Sequence, residues 1–167
     1  PLPTTPVYLP GNINSTKCTR LCTNTMTMGL GGWLGLGNAD AANLPGMFDI
    51  SVALGRVSAA VCDALGYRLQ PIFGLRADDF AGTVEENLVK AMQTLLGHIT
   101  HGRTAPIHDH MKGRTSEMEY IPGVVSGKGR ELGIPTPLNA AVGENERRIT
   151  TGRHQRHTAK PRICRHR

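Results

Sequence analysis

Two stretches of the chain carry apolar residues at the spacing of a helix rather than a strand. In "NLPGMFDISVALGRVSAAVCDALGY", Ile50, Leu54, Val57, Val61 and Leu65 recur at the rhythm that lines up side chains on one helical face. In "TVEENLVKAMQTLLGHI", Val84, Leu88, Met92, Leu95 and Ile99 repeat the pattern, behind Thr83 as an N-cap with Glu86 as its capping-box partner. Nothing alternates apolar and polar residues for long, which a half-buried strand would require. With 1 Trp, 3 Tyr and 3 Phe, the core must be built from Leu, Val, Ile, Met and Ala, a set that suits helices. An all-α domain follows, with no parallel sheet and therefore no Rossmann site of its own.

The remaining boundaries come from breakers. "PLPTTPVYLPGN" reads as an extended lead-in over residues 1–12, and a helix is expected from about Thr16 to Leu36. Gly66 closes the next helix, and Pro71 with Gly74 marks a turn. "RTAPIHDHMKGRTSEMEYIPGVVSGKGRELG" gives a short helix, a turn at Lys112-Gly113, and a further helix from Ser116 to Leu132 kinked at Pro122. A last helix opens at Thr136-Pro137. The ordered domain is expected over residues 13–150.

Charge separates the tail from the rest. The net charge is +6, yet Arg147 to Arg167 holds 8 of the 19 basic residues and no acid, leaving 11 − 13 = −2 before it. The end of the chain, residues 151–167, is too poor in apolar residues to offset its ordering entropy and is read as a disordered basic tail. No aromatic residue interleaves with its arginines, so nucleic acid is not the expected partner. No segment approaches the roughly twenty apolar residues of a membrane span, and no leader pattern opens the chain; a cytoplasmic protein is expected.

The glycine run "MGLGGWLGLGN" fails as a nucleotide loop. Gly29 and Gly31 supply the first pair of Gly-x-Gly-x-x-Gly, but Leu34 stands at the third position and no strand precedes it. Small residues inside a helix let another backbone or a ligand come close, and Gly29, Gly31 and Gly32 are read that way. The cysteines, Cys18, Cys22, Cys62 and Cys164, lack zinc spacing and are taken as reduced packing thiols. His98, His101, His108, Asp109 and His110 form no helical His-x-x-x-His pair, so no metal site is assigned.

One constellation stands above this background. "HDHMKGRTSEMEYIPGVVSGKGRELGIPTPLN" places Asp109, Gly113, Arg114, Glu117, Met118, Glu119, Gly123, Gly133, Ile134, Pro137 and Asn139 at fixed intervals. The span resembles the ketopantoate reductase (2-dehydropantoate 2-reductase) family, whose C-terminal helical domain carries an Asp, a Gly-Arg-x-x-Glu-Ile-Asp-x-x-x-Gly core and then Gly-Ile-x-x-Pro-x-Asn. Upstream, Leu21 and Asn24 fit the family's helix bearing Lys-Leu-x-x-Asn followed by small residues.

The resemblance covers about Gly11 to Thr150 and implies a multi-helix domain of the 6-phosphogluconate-dehydrogenase-like type. It implies a chain that lacks the family's NADP-binding Rossmann domain, so that NADPH would be held by a domain outside these residues. The implied reaction is reduction of an α-keto acid such as ketopantoate to the hydroxy acid. The implied partners are that small acid and a second copy of the chain. Carried over residue by residue, Asn24 and Glu117 become substrate-binding residues, with Asp109, Arg114 and Asn139 in support. The family's catalytic lysine position holds Arg20, which keeps the charge but is a poor proton donor near neutral pH. Lys17, almost one turn away, is the candidate substitute. The family's serine before the glutamate is replaced by Ala105, with Thr104 beside it. A second reading, from the Arg20 change, is a non-catalytic helical association domain.

Overall fold

The computed structural model describes residues 12–99 and 102–151, without the surroundings of the side chains at 29–33 and 99. The lead-in, except Asn12, and the tail beyond Thr151 lie outside these residues, as does His101.

The described residues form seven α-helices and two 3-10 turns, with no strand. The helices are α1 (Ile13–Leu34), α2 (Asn38–Ala42), α3 (Met47–Ala64), α4 (Val84–Ile99), α5 (Ala105–Met111), α6 (Pro122–Leu132) and α7 (Pro137–Thr150). The 3-10 turns cover Ala77–Phe80 and Glu117–Tyr120.

The first helix is the axis of the fold: α3 runs along it, and α2, α4, α5 and α7 also pack against it. It begins earlier than expected because Asn12 caps it, its Oδ1 accepting from the amides of Asn14 and Ser15 at 3.1 Å. It ends at Gly35, whose φ of 62° is the left-handed conformation that closes a helix. Its buried face is largely threonine, with Thr19, Thr23 and Thr25 fully enclosed. Each hydroxyl is satisfied locally by a carbonyl one turn back: Ser15 for Thr19, Arg20 for Thr23 and Cys22 for Thr25. Hydroxyls bonded in this way can enter the core without stranded donors.

A glycine sets how closely α1 and α3 approach. A Cβ on Gly55 would stand 2.6 Å from Met26 Cγ and 3.5 Å from Leu88 Cδ1, so this position has no room for a side chain. Around that contact lies the main core of Cys22, Met26, Val52, Ala59, Cys62, Leu88 and Met92. Removing a side chain such as Met26 or Leu88 from water contributes about 1.5–3 kcal/mol. A smaller cluster of Leu54, Met118 and Val142 joins α3 to α7 and the second 3-10 turn.

Several expectations require correction. Of the apolar stripe assigned to α3, Leu54 and Val61 are buried, but Ile50 is 41% and Leu65 39% exposed. The buried face also uses Ser51, Val52, Gly55, Ser58, Ala59 and Cys62, so it is turned toward small and polar residues. On α4, Leu88 and Met92 are buried while Val84 is exposed. The expected helix from Ser116 to Leu132 is two elements: Ile121 leaves helical geometry at ψ −82°, and Pro122 starts a new helix at its first turn instead of kinking an old one. The Thr83 and Glu86 box forms as expected, Thr83 N donating to Glu86 Oε2 at 2.7 Å and Glu86 N to Thr83 Oγ1 at 3.3 Å.

Candidate functional site

Asn24 faces an open groove of about 540 Å³ between α1, the end of α4 and the segment entering α5. Thr27 and Met28 continue the α1 wall, Asn38 comes from α2, and Leu95, Gly97 and His98 come from α4. Gly102, Arg103 and Thr104 complete the described lining. Its polar lining includes the half-buried Asn24 amide, the exposed Arg103 guanidinium and Thr104, together with Thr27, Asn38 and His98.

Thr104 is the least expected of them. It occupies the N-cap position of α5, yet its side chain makes no capping bond, and its Oγ1 is buried without a hydrogen-bond partner. A buried hydroxyl left unpaired costs about 1–3 kcal/mol, so a ligand that offers it a partner recovers that energy. The neighbouring Ala105 replaces the serine implied by the family resemblance, and Thr104 puts a hydroxyl one residue earlier.

The other sequence-predicted residues are spread over neighbouring elements. Arg20 is exposed one turn before Asn24 and does not line the groove; its guanidinium carbon lies 5.7 Å from the Phe73 ring centroid. Lys17 is exposed on the same helix, also outside the lining. Glu117 is exposed at the start of the second 3-10 turn, whose N-cap is Ser116. Asp109 is half-buried on α5, and its carbonyl accepts from the Arg114 amide at 2.8 Å, so these two meet through the backbone. Asn139 is fully buried, its Nδ2 donating to Ser58 Oγ at 3.2 Å, and Ser58 in turn lies 3.0 Å from Thr25 Oγ1 on α1. This chain of contacts locks α7 and α3 to the helix that carries Asn24.

A second polar centre was not visible in the sequence. Glu146 on α7 is 2% exposed, and its Oε1 meets His110 Nε2 at 2.7 Å and also accepts from Ser116 Oγ. Its other oxygen, Oε2, is buried without a partner. A carboxylate spaced 36 residues from its histidine gives no sequence signal, because i, i+3 and i, i+4 rules report only within one helix. The centre joins α5, α7 and the Ser116 cap, directly before Glu117.

Cys18 and Cys62 are not poised as nucleophiles. Burial, then contact with the Cys62 thiol, pushes Cys18 up to about 12. The hydrogen bond with Cys22, then burial, pushes Cys62 still higher. Both stay protonated at neutral pH, whereas the attacking form of cysteine is the thiolate. The described residues include no group of three metal-ligating side chains placed to hold an ion. No described helix is long and apolar enough to cross a membrane.

The arrangement can bind and orient a small polar ligand through an amide, a hydroxyl and a cation. Among the described residues there is no strand from which a phosphate-binding loop could spring.

Known proteins agree with this architecture. A sequence profile of the ketopantoate reductase PanE/ApbA C-terminal family matches residues 12–148. No curated protein matches the sequence significantly. Among solved structures, a PanE/ApbA family ketopantoate reductase from Ralstonia eutropha JMP134 superposes with a TM-score of 0.72 at 19% identity, over 86% of this chain and 44% of that one. A D-mandelate dehydrogenase in a ternary complex with NADH and anilino(oxo)acetate gives 0.73 at 19% identity, over 87% and 43%. The dimeric ketopantoate reductase of Staphylococcus aureus gives 0.68 at 18%, over 87% and 46%. The chain thus spans less than half the length of these structures, and at such identities they speak for the fold alone. With its helical fold and a profile match running from the first described residue to within the last helix, the chain belongs to the ketopantoate reductase PanE/ApbA family, as its C-terminal domain.

Proposed function

We propose that this domain is the substrate-binding half of an NADPH-dependent reductase of small α-keto acids such as ketopantoate, with the dinucleotide held by a domain outside these 167 residues. The observation that carries the reading is a groove lined both by Asn24, at the family's asparagine position, and by Thr104, whose buried hydroxyl has no partner. An amide and a hydroxyl lining one groove can hold the oxygens of a keto acid in a fixed orientation. The part assigned to this chain is to bind, orient and shield the acid. Glu117, Asp109, Arg114 and Asn139 are proposed as support for that function, Asn139 by fixing α7 and α3 against α1. The D-mandelate dehydrogenase complex with a nicotinamide and an oxoacetate is consistent with this class of ligand.

Calorimetric titration tests the proposal. The chain should bind ketopantoate and show no heat with NADPH. Absence of keto acid binding would overturn it.

Arg20 favours a second reading. A guanidinium stands where the family's lysine is expected, and it rests over Phe73 instead of lining the groove. A domain that kept the fold and lost the proton donor would serve association, with a second copy or with the partner bearing the dinucleotide site. Sedimentation of the purified chain distinguishes it: self-association without keto acid binding supports this alternative.

A further inference from the structure

We propose that Arg103 is the carboxylate anchor of the groove, so that the site selects small monoanionic acids over their neutral counterparts. The inference rests on the keto acid reading for the location of the ligand, but not for its charge, which comes from the groove itself.

The lining is electrostatically one-sided. Among the described residues that form it, Arg103 is the only arginine or lysine, and there is no aspartate or glutamate. A guanidinium is permanently charged and presents paired N–H donors that match a carboxylate in two parallel bonds. In this structure Arg103 makes no ion pair: its Nη1 contacts Met111 Sδ at 3.6 Å, a weak acceptor. Asp40, whose Oδ2 lies 3.6 Å from where a Cβ on Gly37 would stand, forms no salt bridge with it. Arg56 with Glu85, Lys90 with Asp79 and Arg148 with Glu144 are exposed cations already matched, whereas Arg103, like the exposed Lys17 and Arg20 outside the groove, has no carboxylate partner among the described residues. Arg103 is held at the mouth of a concave site with its charge unspent.

The adjacent residue supplies the second, independent sign of a ligand. Thr104 is 7% exposed, lines the same groove, and has a hydroxyl with no partner. That hydroxyl is shielded in this structure, and a carboxylate held by Arg103 pairs it once the Thr104 side chain rotates toward the groove. Asn24 on the opposite wall is then left for the other polar group of the ligand, the carbonyl oxygen in a keto acid. The division of labour is Arg103 for charge, Thr104 for register, Asn24 for the functional group. Arg103 is here a specificity residue and not a proton donor.

The test is a calorimetric titration of the full chain with three probes: 3-methyl-2-oxobutanoate, its uncharged methyl ester, and isovalerate, which keeps the carboxylate and lacks the keto group. The keto acid should bind, with the ester at least tenfold weaker. Arg103→Gln should weaken the keto acid at least tenfold and leave the ester unchanged, and Arg103→Lys should recover part of the loss. Because Arg103 is exposed, both variants should melt with the wild type, which a thermal scan verifies. If Arg103→Gln binds the keto acid as the wild type does, or the ester binds as well as the acid, the anchor is overturned while the keto acid reading stands. Equal binding of isovalerate and keto acid, both dependent on Arg103, upholds the anchor and removes the keto acid reading. Failure of the wild type to bind any of the three overturns the anchor.

Discussion

Asn139 and Ser58 meet at the centre of the molecule although 81 residues separate them, the amide donating to the hydroxyl at 3.2 Å. Ser58 also donates to the Leu54 carbonyl at 2.8 Å and touches Thr25, so one small hydroxyl links three helices. Asn139 is fully enclosed and its Oδ1 has no partner. Removing the amide loses a buried bond and leaves a hole. Asn139→Ala should lower unfolding stability by about 2 kcal/mol, and Ser58→Ala combined with it should cost less than the two separately. Urea denaturation of the four proteins measures this; strict additivity would show that the pair is not coupled.

The position of Gly55 yields a steric prediction. With Met26 Cγ 2.6 Å from the site of a Cβ, Gly55→Ala should force α3 away from α1 and cost about 1–3 kcal/mol. The helix propensity of alanine works in the opposite direction by about 1 kcal/mol, so an unchanged urea midpoint would mean that Met26 simply moves aside.

Glu146 and His110 predict a strong coupling. His110→Phe leaves a carboxylate at 2% exposure with Ser116 as its remaining described partner, and should cost about 3–5 kcal/mol. Adding Glu146→Leu removes the stranded carboxyl group and should restore most of that loss. A double variant as unstable as His110→Phe alone would contradict this account of the centre.

Acid should weaken the fold through surface carboxylates. Lys90 first, then the Arg76 amide, holds Asp79 below its ordinary value of 3.8. The Thr83 amide and hydroxyl do the same for Glu86, and Arg148 for Glu144. Because each folded value is depressed, the contribution is complete above the unfolded value and disappears as pH falls through the folded one. Stability should therefore decline below about pH 4, and Lys90→Met should flatten part of that decline. A parallel pH profile for the variant, measured by thermal melting, would rule Lys90 out as a cause.

Much of the fold was legible because its signals are local. The Thr83 box, the proline start at Pro137 and the glycine stop at Gly66 are each written within a few residues. The buried face of α1 was not legible, because threonines that bond their own helix look polar to any hydropathy pattern. On α3 the apolar rhythm points to Ile50 and Leu65 as well as to the buried Leu54 and Val61, whereas packing against α1 favours Gly55, Ser58 and Ala59, small residues that a hydropathy pattern passes over. Asn24 is marked by its motif and Thr104 only by its place next to Ala105, whereas Arg103 carries no signal and draws notice only when the ends of α4 and α5 place it in the same groove lining as Asn24. The glycines at 29, 31 and 32 fall within α1, but their surroundings lie outside the described residues.

The most direct test follows the backbone amides of the isotope-labelled chain by NMR while ketopantoate is added. The account predicts saturable shifts concentrated at Asn24, Thr27, Asn38 and Gly102–Thr104, and their loss in Asn24→Ala at unchanged melting temperature. Shifts centred on another surface, or none up to millimolar acid, would contradict it.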